Sequence, residues 1–145
     1  MRNTTQIKQT AQQTQIAIIG AGFGGLAMAI RLLKNNIQDF VILEKAHDIG
    51  GTWRENQYPG AACDVQSHMY SLSFVPKSDW SKRYAEAAEI FAYIKSLIST
   101  YDLKKYCQLN SEVIAAEYNE QRCDWTLTLN DDSALIAQFV IFASG

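Results

Sequence analysis

The chain has 145 residues, a formal net charge of −2 and a hydrophobic content of 48%. This length is enough for one domain with a hydrophobic core, but it is short for an enzyme that holds both a dinucleotide and a substrate. The charged residues are dispersed along the chain, so the sequence offers no support for a nucleic-acid partner.

The three cysteines also restrict the class of protein. Cys63, Cys107 and Cys123 are odd in number, and no two of them have the CxxC spacing. The sequence therefore predicts neither a disulfide framework nor a metal site. Reduced thiols favour a cytoplasmic location, and the lack of a close redox pair disfavours the disulfide reductases that have a similar nucleotide-binding opening.

At the start of the chain, residues 1–13 are polar and rich in Gln and Thr, and we expect them to form a disordered tail before a domain over residues 14–145. The apolar stretch 16–30 is only 15 residues long and contains four glycines. It is too short and too interrupted for a membrane span, and no cleavage pattern of small residues follows it. We expect no membrane span.

The glycine-rich segment Gly20-Ala21-Gly22-Phe23-Gly24-Gly25 follows the apolar run 16–19 and precedes an amphipathic stretch. This order is typical of a strand, a phosphate-binding turn and a helix. Gly20 would permit the sharp turn, Gly22 would leave room for a pyrophosphate, and Gly25 would let the helix lie close to the sheet. The anion would then lie at the helix N-terminus.

A second strand and an acid follow this helix, which should end near Asn35-Asn36. Residues 40–43 form an apolar run, and Glu44 stands at its carboxyl end, where an acid accepts hydrogen bonds from an adenosine ribose. A carboxylate repels a ribose 2′-phosphate, so the site should take FAD or NAD and not NADP. The alternative is that Glu44 is a solvated charge paired weakly with Lys45.

The rest of the chain predicts a mixed sheet. Residues 45–85 lack periodicity but are rich in aromatic residues, which favours a ligand-binding loop over disorder. A helix should begin at Glu86, followed by a short strand near 106–109 and strands over 113–118, 125–129 and 135–142. The middle strands should form an antiparallel meander, and the last run should re-enter the parallel sheet as a buried strand. The fold class is α/β, Rossmann-like, with a central parallel sheet.

Two adjacent motifs carry a resemblance to a known family. Gly50-Gly51-Thr52-Trp53-Arg54-Glu55-Asn56 is followed by Tyr58-Pro59-Gly60-Ala61-Ala62-Cys63-Asp64. On the basis of these two motifs, residues 15–145 resemble the amino-terminal part of the Baeyer-Villiger monooxygenases, a branch of the flavin-containing monooxygenases. The glycine motif is shared by many flavoproteins, whereas this pair of motifs is far more selective.

The resemblance implies that FAD binds with its pyrophosphate at Gly20–Gly25 and its ribose at Glu44. Val113 would meet the adenine through its backbone, and Asp64, the implied catalytic residue, would act electrostatically by pairing with an arginine from a later nucleotide domain. The implied FAD contacts are Gly20, Gly22, Phe23, Gly24, Gly25, Glu44, Lys45, Gly51, Thr52, Trp53, Asp64, Tyr70 and Val113.

Several of these positions have a purely structural alternative. Asp64 follows a Pro-Gly turn, where Asp often forms an Asx turn. The alternative for Trp53 and Tyr70 is that they are core residues. Thr52 would fit as the cap of a short helical turn, a role compatible with a ligand contact.

The resemblance further implies an enzyme that uses FAD, NADPH and oxygen to insert oxygen beside the carbonyl of a small-molecule ketone. However, Ala62 stands where the family often has arginine, and neither a second GxGxxG nor the FxGxxxHxxxW signature occurs in these 145 residues. The end at Ala143-Ser144-Gly145 suggests a fragment without the NADPH domain, which alone should be inactive. The alternatives are a fragment of an N- or S-oxygenating flavin monooxygenase and a non-catalytic nucleotide-binding module.

Overall fold

The structure is a computed structural model and describes residues 11–145. Its strands are β1 (Gln12–Ile19), β2 (Phe40–Leu43), β3 (Cys107–Gln108), β4 (Val113–Asn119), β5 (Asp124–Leu129) and β6 (Ala134–Phe142). Its helices are α1 (Phe23–Lys34), α2 (Thr52–Glu55) and α3 (Ala87–Thr100), and two 3₁₀ turns cover Ser67–Met69 and Leu103–Tyr106.

The first strand begins earlier than the sequence indicated. Gln12 and Gln13, which were expected in the tail, pair in parallel with Leu135 and Ile136 of β6. Because β6 is nine residues long, it offers partners to polar residues that precede the apolar run of β1. The domain boundary at residue 14 is therefore two residues too late, while residues 1–10 of the expected tail lie outside the described residues.

The strands described form one sheet in the order β3-β2-β1-β6-β5-β4. β1 pairs in parallel with both β2 and β6, and β2 pairs in parallel with β3. β4, β5 and β6 pair in antiparallel fashion through two short turns. The predicted α/β, Rossmann-like fold with a central parallel sheet and an antiparallel meander is confirmed, including the return of the last strand to the parallel sheet.

Both faces of the parallel strands are covered. Ile16 and Ile18 of β1 point into a cluster that contains residues of α1 and α3, whereas Ala17 between them belongs to a second cluster. The second cluster joins β1 and β2 to Leu127 and Leu129 of the meander. Because alternate residues of a strand point to opposite faces, the parallel strands β1 and β2 have the helices on one face and residues of the antiparallel strand β5 on the other.

The burial expected for the last strand is only partly observed. Phe139 is 54% exposed and Phe142 is 62% exposed, while Val140 and Ile141 pack partly against the two clusters. Phe139 alternates with Ile141 on the helical face and Phe142 alternates with Val140 on the opposite face, and neither phenylalanine belongs to a cluster. The expectation of a fully buried strand was therefore wrong at these two phenylalanines.

The aperiodic segment 45–85 is anchored to the helical layer. The amide of Cys63 donates to the carbonyl of Ala85 at 2.9 Å, and the amide of Ser67 donates to Arg83 at 2.7 Å. The hydroxyl of Tyr93, on α3, donates to the carbonyl of Val75 and accepts from the amide of Leu72. These bonds explain how a loop without periodicity holds one path.

At Gly25, the backbone of α1 lies against the turn that follows β1 and leaves no room for a side chain. A Cβ atom at Gly25 would lie 1.9 Å from the carbonyl oxygen of Gly20, whereas one at Gly24 would meet only the Cβ of Ala143 at 3.6 Å. We predict that Gly25→Ala lowers the free energy of unfolding by about 1–3 kcal/mol, since the helix must move away from the sheet. Gly24→Ala should leave it unchanged or raise it by up to about 1 kcal/mol. Urea denaturation followed by circular dichroism measures both, and equal losses would contradict this packing account.

Candidate functional site

A cleft of about 650 Å³ opens at the carboxyl ends of β1, β2 and β6. Ligands of open α/β sheets bind at this edge of the strands. Of the predicted contacts, those lining the cleft are Gly20, Gly22, Phe23, Gly24, Glu44, Lys45, Gly51, Thr52, Trp53, Tyr70 and Val113. Gly25 and Asp64 lie outside the lining. The structure thus brings eleven of the thirteen predicted residues to one cavity.

The glycine-rich turn is held in place by its neighbours. Gly20 has a φ of +105°, and a Cβ there would lie 2.5 Å from the carbonyl oxygen of Ala143, so the close approach of the two chains requires glycine. The Gly20 amide donates to Leu43 at 2.8 Å, and the Ala143 amide donates to Ile19 at 2.8 Å. Gly25 does not face the cleft but permits α1 to lie against this turn, as the sequence predicted.

The N-terminus of α1 opens into the cleft. Gly22 is its N-cap and carries no side-chain capping bond, the first turn contains no acidic residue, and the first amide bonded within the helix turn is that of Leu26, which donates to Gly22. The amides of Phe23, Gly24 and Gly25, at the start of the helix, therefore have no intrahelical acceptor. A Cβ at Gly22 would have only the backbone of Gly51 within 4 Å. Unpaired amides, a helix dipole and open space together suit a phosphate group.

Glu44 is buried beside this turn and is only 4% exposed. Its Oε2 accepts from the amide of Ala21 at 2.8 Å, and its Oε1 accepts from the amide of Ala46 at 3.0 Å and from Nη1 of Arg54 at 3.3 Å. Lys45 is exposed, and the ion pair found among residues 11–145 is with Arg54. The alternative of a solvated charge paired with Lys45 is therefore wrong, because the carboxylate is neither solvated nor bound to that lysine.

Arg54 also lines the cleft, although it was not predicted as a contact. Its side chain is 10% exposed, and besides Glu44 its guanidinium donates to the carbonyl of Asp48 and to Glu55 Oε1 at 2.6 Å. Arg54 thereby ties α2 to the end of β2. In the sequence, Arg54 is marked only by its place in the motif that begins at Gly50-Gly51. Its ion pair with Glu44 depends on how the aperiodic loop folds back, which the sequence pattern does not show.

Three aromatic side chains form one wall of the cleft. The ring of Tyr70 meets those of Phe23 and Trp53 edge to face, at centroid distances of 5.5 and 5.4 Å. Nε1 of Trp53 donates to the hydroxyl oxygen of Tyr70 at 3.1 Å. Burial raises the pKa of Tyr70 above its ordinary value, and the nearby Cys63 and Asp64 act in the same direction. All three rings pack against the core while facing the cleft, so the core and ligand-contact interpretations are compatible here.

Asp64 lies apart from the cleft. Its side chain is exposed, and among the described residues no hydrogen bond to it is formed, so the structure does not show the alternative Asx turn. Thr52 is the first residue of α2, and its N-cap is Gly51. The alternative that Thr52 caps this turn is therefore wrong.

The carboxyl ends of the strands supply further lining residues that were not predicted. Ala143 and Ser144 follow β6, and Ser111 precedes β4, whose register shifts between Val113 and Ala115. The amide of Ser111 donates to the carbonyl of Glu44 at 2.9 Å, which holds this segment beside β2. The sequence pattern could have predicted Ala143 and Ser144 as lining residues. They follow a parallel strand, and the carboxyl ends of parallel strands lie at the same edge of a sheet.

The described residues show neither a metal centre nor a membrane-spanning helix. Within residues 11–145, no three His, Cys, Asp or Glu side chains are grouped so as to hold a metal ion. No helix of the described segment has the length and apolar character needed to cross a membrane. Cys63, Cys107 and Cys123 are free thiols, and burial together with the nearby Glu44 raises the pKa of Cys107 to about 11.

The buried carboxylate generates a prediction about folding. Glu44→Ala would leave Arg54 and the amides of Ala21 and Ala46 without their acceptor, so we expect the free energy of unfolding to fall by about 2–5 kcal/mol. Glu55→Ala is the matched control, because Glu55 also pairs with Arg54 but is 53% exposed. That change should cost less than about 1 kcal/mol. Urea denaturation without added ligand compares them, and similar losses would show that burial of the acid is unimportant.

Comparisons with known proteins agree with this geometry. A family model described as an NAD(P)-binding Rossmann-like domain matches residues 18–87. A Baeyer-Villiger monooxygenase of Streptomyces coelicolor is 39% identical over 138 residues, which are 95% of this chain and 26% of that protein. A Baeyer-Villiger monooxygenase of Pseudomonas aeruginosa is 43% identical over 125 residues, 86% of this chain and 24% of that protein.

Solved structures show the same relationship. Cyclohexanone monooxygenase from Rhodococcus sp. Phi1, bound to NADP+, superposes with a TM-score of 0.89 and 31% identity over 94% of this chain and 26% of its own. OTEMO in complex with FAD and NADP superposes with a TM-score of 0.84 and 29% identity over 91% of this chain and 26% of its own. The chain spans about a quarter of the length of the relatives it matches. In sequence and in fold, the chain is therefore similar to about a quarter of these Baeyer-Villiger monooxygenases.

Proposed function

We propose that the cleft binds FAD and that this chain is the FAD-binding part of a larger monooxygenase that uses NADPH and oxygen. The full-length protein would insert an oxygen atom beside the carbonyl of a small-molecule ketone and release an ester or lactone. The observation that carries the proposal is the glycine turn at Gly20–Gly25 set against the buried acid Glu44. Free thiols at all three cysteines suit a cytoplasmic location for it.

The residues present fit a dinucleotide. Open space at Gly22 and the uncapped amides of α1 would hold the pyrophosphate, and Glu44 would accept a hydrogen bond from the adenosine ribose. The backbone near Val113 would lie against the adenine, since this strand forms the wall beyond Glu44. The acid at this position favours FAD over a nucleotide with a 2′-phosphate.

The aromatic wall would receive the flavin. Gly51, Thr52 and Trp53 begin α2 beside the glycine turn, and Tyr70 lies against Trp53. Edge and face contacts with such side chains stabilise a bound flat ring system. When bound and reduced, FAD supplies the electrons that activate oxygen, and the protein's share here is to bind and orient it.

Asp64 would act at a distance from this chain's own cleft. Its exposed carboxylate, close enough to Tyr70 to influence the pKa of that hydroxyl, is available to a cation from another part of the full-length protein. We propose that it holds an arginine of the nucleotide domain and acts electrostatically.

A pair of glycine variants tests FAD binding by this chain. Gly22→Ala should weaken FAD by about 10- to 100-fold, because the added methyl enters the pyrophosphate space, and overpacking costs about 1–3 kcal/mol. Its unfolding should be unchanged, since the new Cβ meets only ordinary contacts at 3.6 Å. Quenching of flavin fluorescence on titration measures the affinity.

Gly60→Ala provides the reverse control. Gly60 lies outside the cleft and has a φ of +84° with no atom near its Cβ position. The change should lower the free energy of unfolding by about 1 kcal/mol through backbone strain while leaving FAD affinity unchanged. A wild-type chain that does not quench flavin fluorescence, or a Gly22→Ala chain that binds as tightly as wild type, would overturn the proposal.

The role of Asp64 is tested in the full-length protein that contains this segment. Asp64→Ala should impair oxidation of a cyclic ketone much more than oxidation of a sulfide, because a soft nucleophile does not need the same electrostatic support. Product formation from the two substrates, measured with the same preparation, gives the ratio. Unchanged ketone oxidation would remove Asp64 from the mechanism, and loss of ketone activity alone would argue against an N- or S-oxygenating enzyme.

A further inference from the structure

The carboxylate of Glu44 is already largely occupied by the protein. Among residues 11–145 it accepts three hydrogen bonds, from the amides of Ala21 and Ala46 and from Arg54. Two of the three donors, Ala46 and Arg54, converge on Oε1, and only Ala21 donates to Oε2. A carboxylate offers about four lone-pair positions, two on each oxygen. Oε1 is therefore filled, and Oε2 keeps one open position.

The donors on Oε1 are fixed. The Ala46 amide belongs to the backbone two residues beyond Glu44, and the carbonyl of Ala46 accepts from the amide of Asn110 at 2.9 Å. The guanidinium of Arg54 is held by Asp48 and Glu55 as well as by Glu44, and it is 10% exposed. A ligand hydroxyl therefore finds Oε1 already occupied.

An adenosine ribose presents two hydroxyl donors, at the 2′ and 3′ positions. An acid with both oxygens free would accept both, whereas an acid with one open position accepts one. Arg54 determines whether Oε1 keeps an open position, because the other two donors to Glu44 are backbone amides. Of the three donors, Arg54 is the one that a side-chain substitution removes.

We propose that Arg54 is a specificity-determining residue of the ribose subsite, which restricts Glu44 to a single ribose hydroxyl. It acts through Glu44 and does not itself need to touch the nucleotide. This inference rests on the proposed function, since it concerns how the same cleft receives the adenosine half of a dinucleotide.

The test uses the purified 145-residue chain and three probes, ADP, 2′-deoxy-ADP and 3′-deoxy-ADP, titrated by isothermal calorimetry. In the wild-type chain, one deoxy analogue should bind within about twofold of ADP, and the other should bind about tenfold or more weakly, because it lacks a hydrogen bond to a charged acceptor. Comparable losses for both analogues, or no loss for either, would overturn the inference while leaving nucleotide binding intact. Failure of ADP itself to bind would overturn the proposed function and this inference with it.

Arg54→Met opens a second acceptor position on Oε1. Both deoxy analogues should then bind about tenfold or more weakly than ADP, since each lacks one of two hydrogen bonds. Arg83→Met is the matched control, because Arg83 is exposed, lies over the ring of Tyr84 and stands outside the cleft. It should keep the wild-type pattern.

A purely structural role for Arg54 would weaken all three probes by the same factor and would contradict the inference. Circular dichroism checks that Arg54→Met is folded. If it is not, the wild-type comparison of the two analogues still decides whether Glu44 binds one hydroxyl.

Discussion

The buried carboxylate of Glu44 joins the segments from which the cleft is built. It accepts from Ala21 in the glycine turn, from Ala46 in the following loop and from Arg54 in α2, while its own carbonyl accepts from Ser111 ahead of β4. A charge that is 4% exposed is stable only when such partners surround it. These hydrogen bonds hold the glycine turn, the start of the following loop, α2 and the segment before β4 around one acid.

Near Glu44, the glycines of the turn allow close contacts between backbone segments and leave open space in the cleft. At Gly20 and Gly25 the backbone itself occupies the room that a side chain would need, so these two residues serve the packing of the turn. At Gly22 the space remains open and faces the cleft. Within the motif, Gly20 and Gly25 therefore serve the packing of the fold, whereas Gly22 and Gly24 leave room for a side chain, and we expect only these last two to be replaced by alanine without loss of stability.

The sequence predicted the elements well where a local pattern determines them. The apolar run of β2 and the turn residues of the meander needed no long-range information, and the position of Glu44 followed from the end of a strand. Arg54 could not be predicted as its partner, because their contact joins residues ten apart through an aperiodic loop. The pairing of Gln12 and the exposure of Phe142 were missed because both depend on the length and neighbours of β6, which periodicity does not reveal.

The similarity to Baeyer-Villiger monooxygenases and the geometry lead to one central proposal, that the cleft holds FAD with its ribose on Glu44 and its pyrophosphate on α1. The most direct measurement is a crystal structure of this chain grown with FAD. The account predicts a pyrophosphate oxygen within hydrogen-bond distance of the amides that begin α1, and one ribose hydroxyl on Oε2 of Glu44. FAD bound elsewhere on the chain, or in the cleft with its ribose away from Glu44, would contradict it.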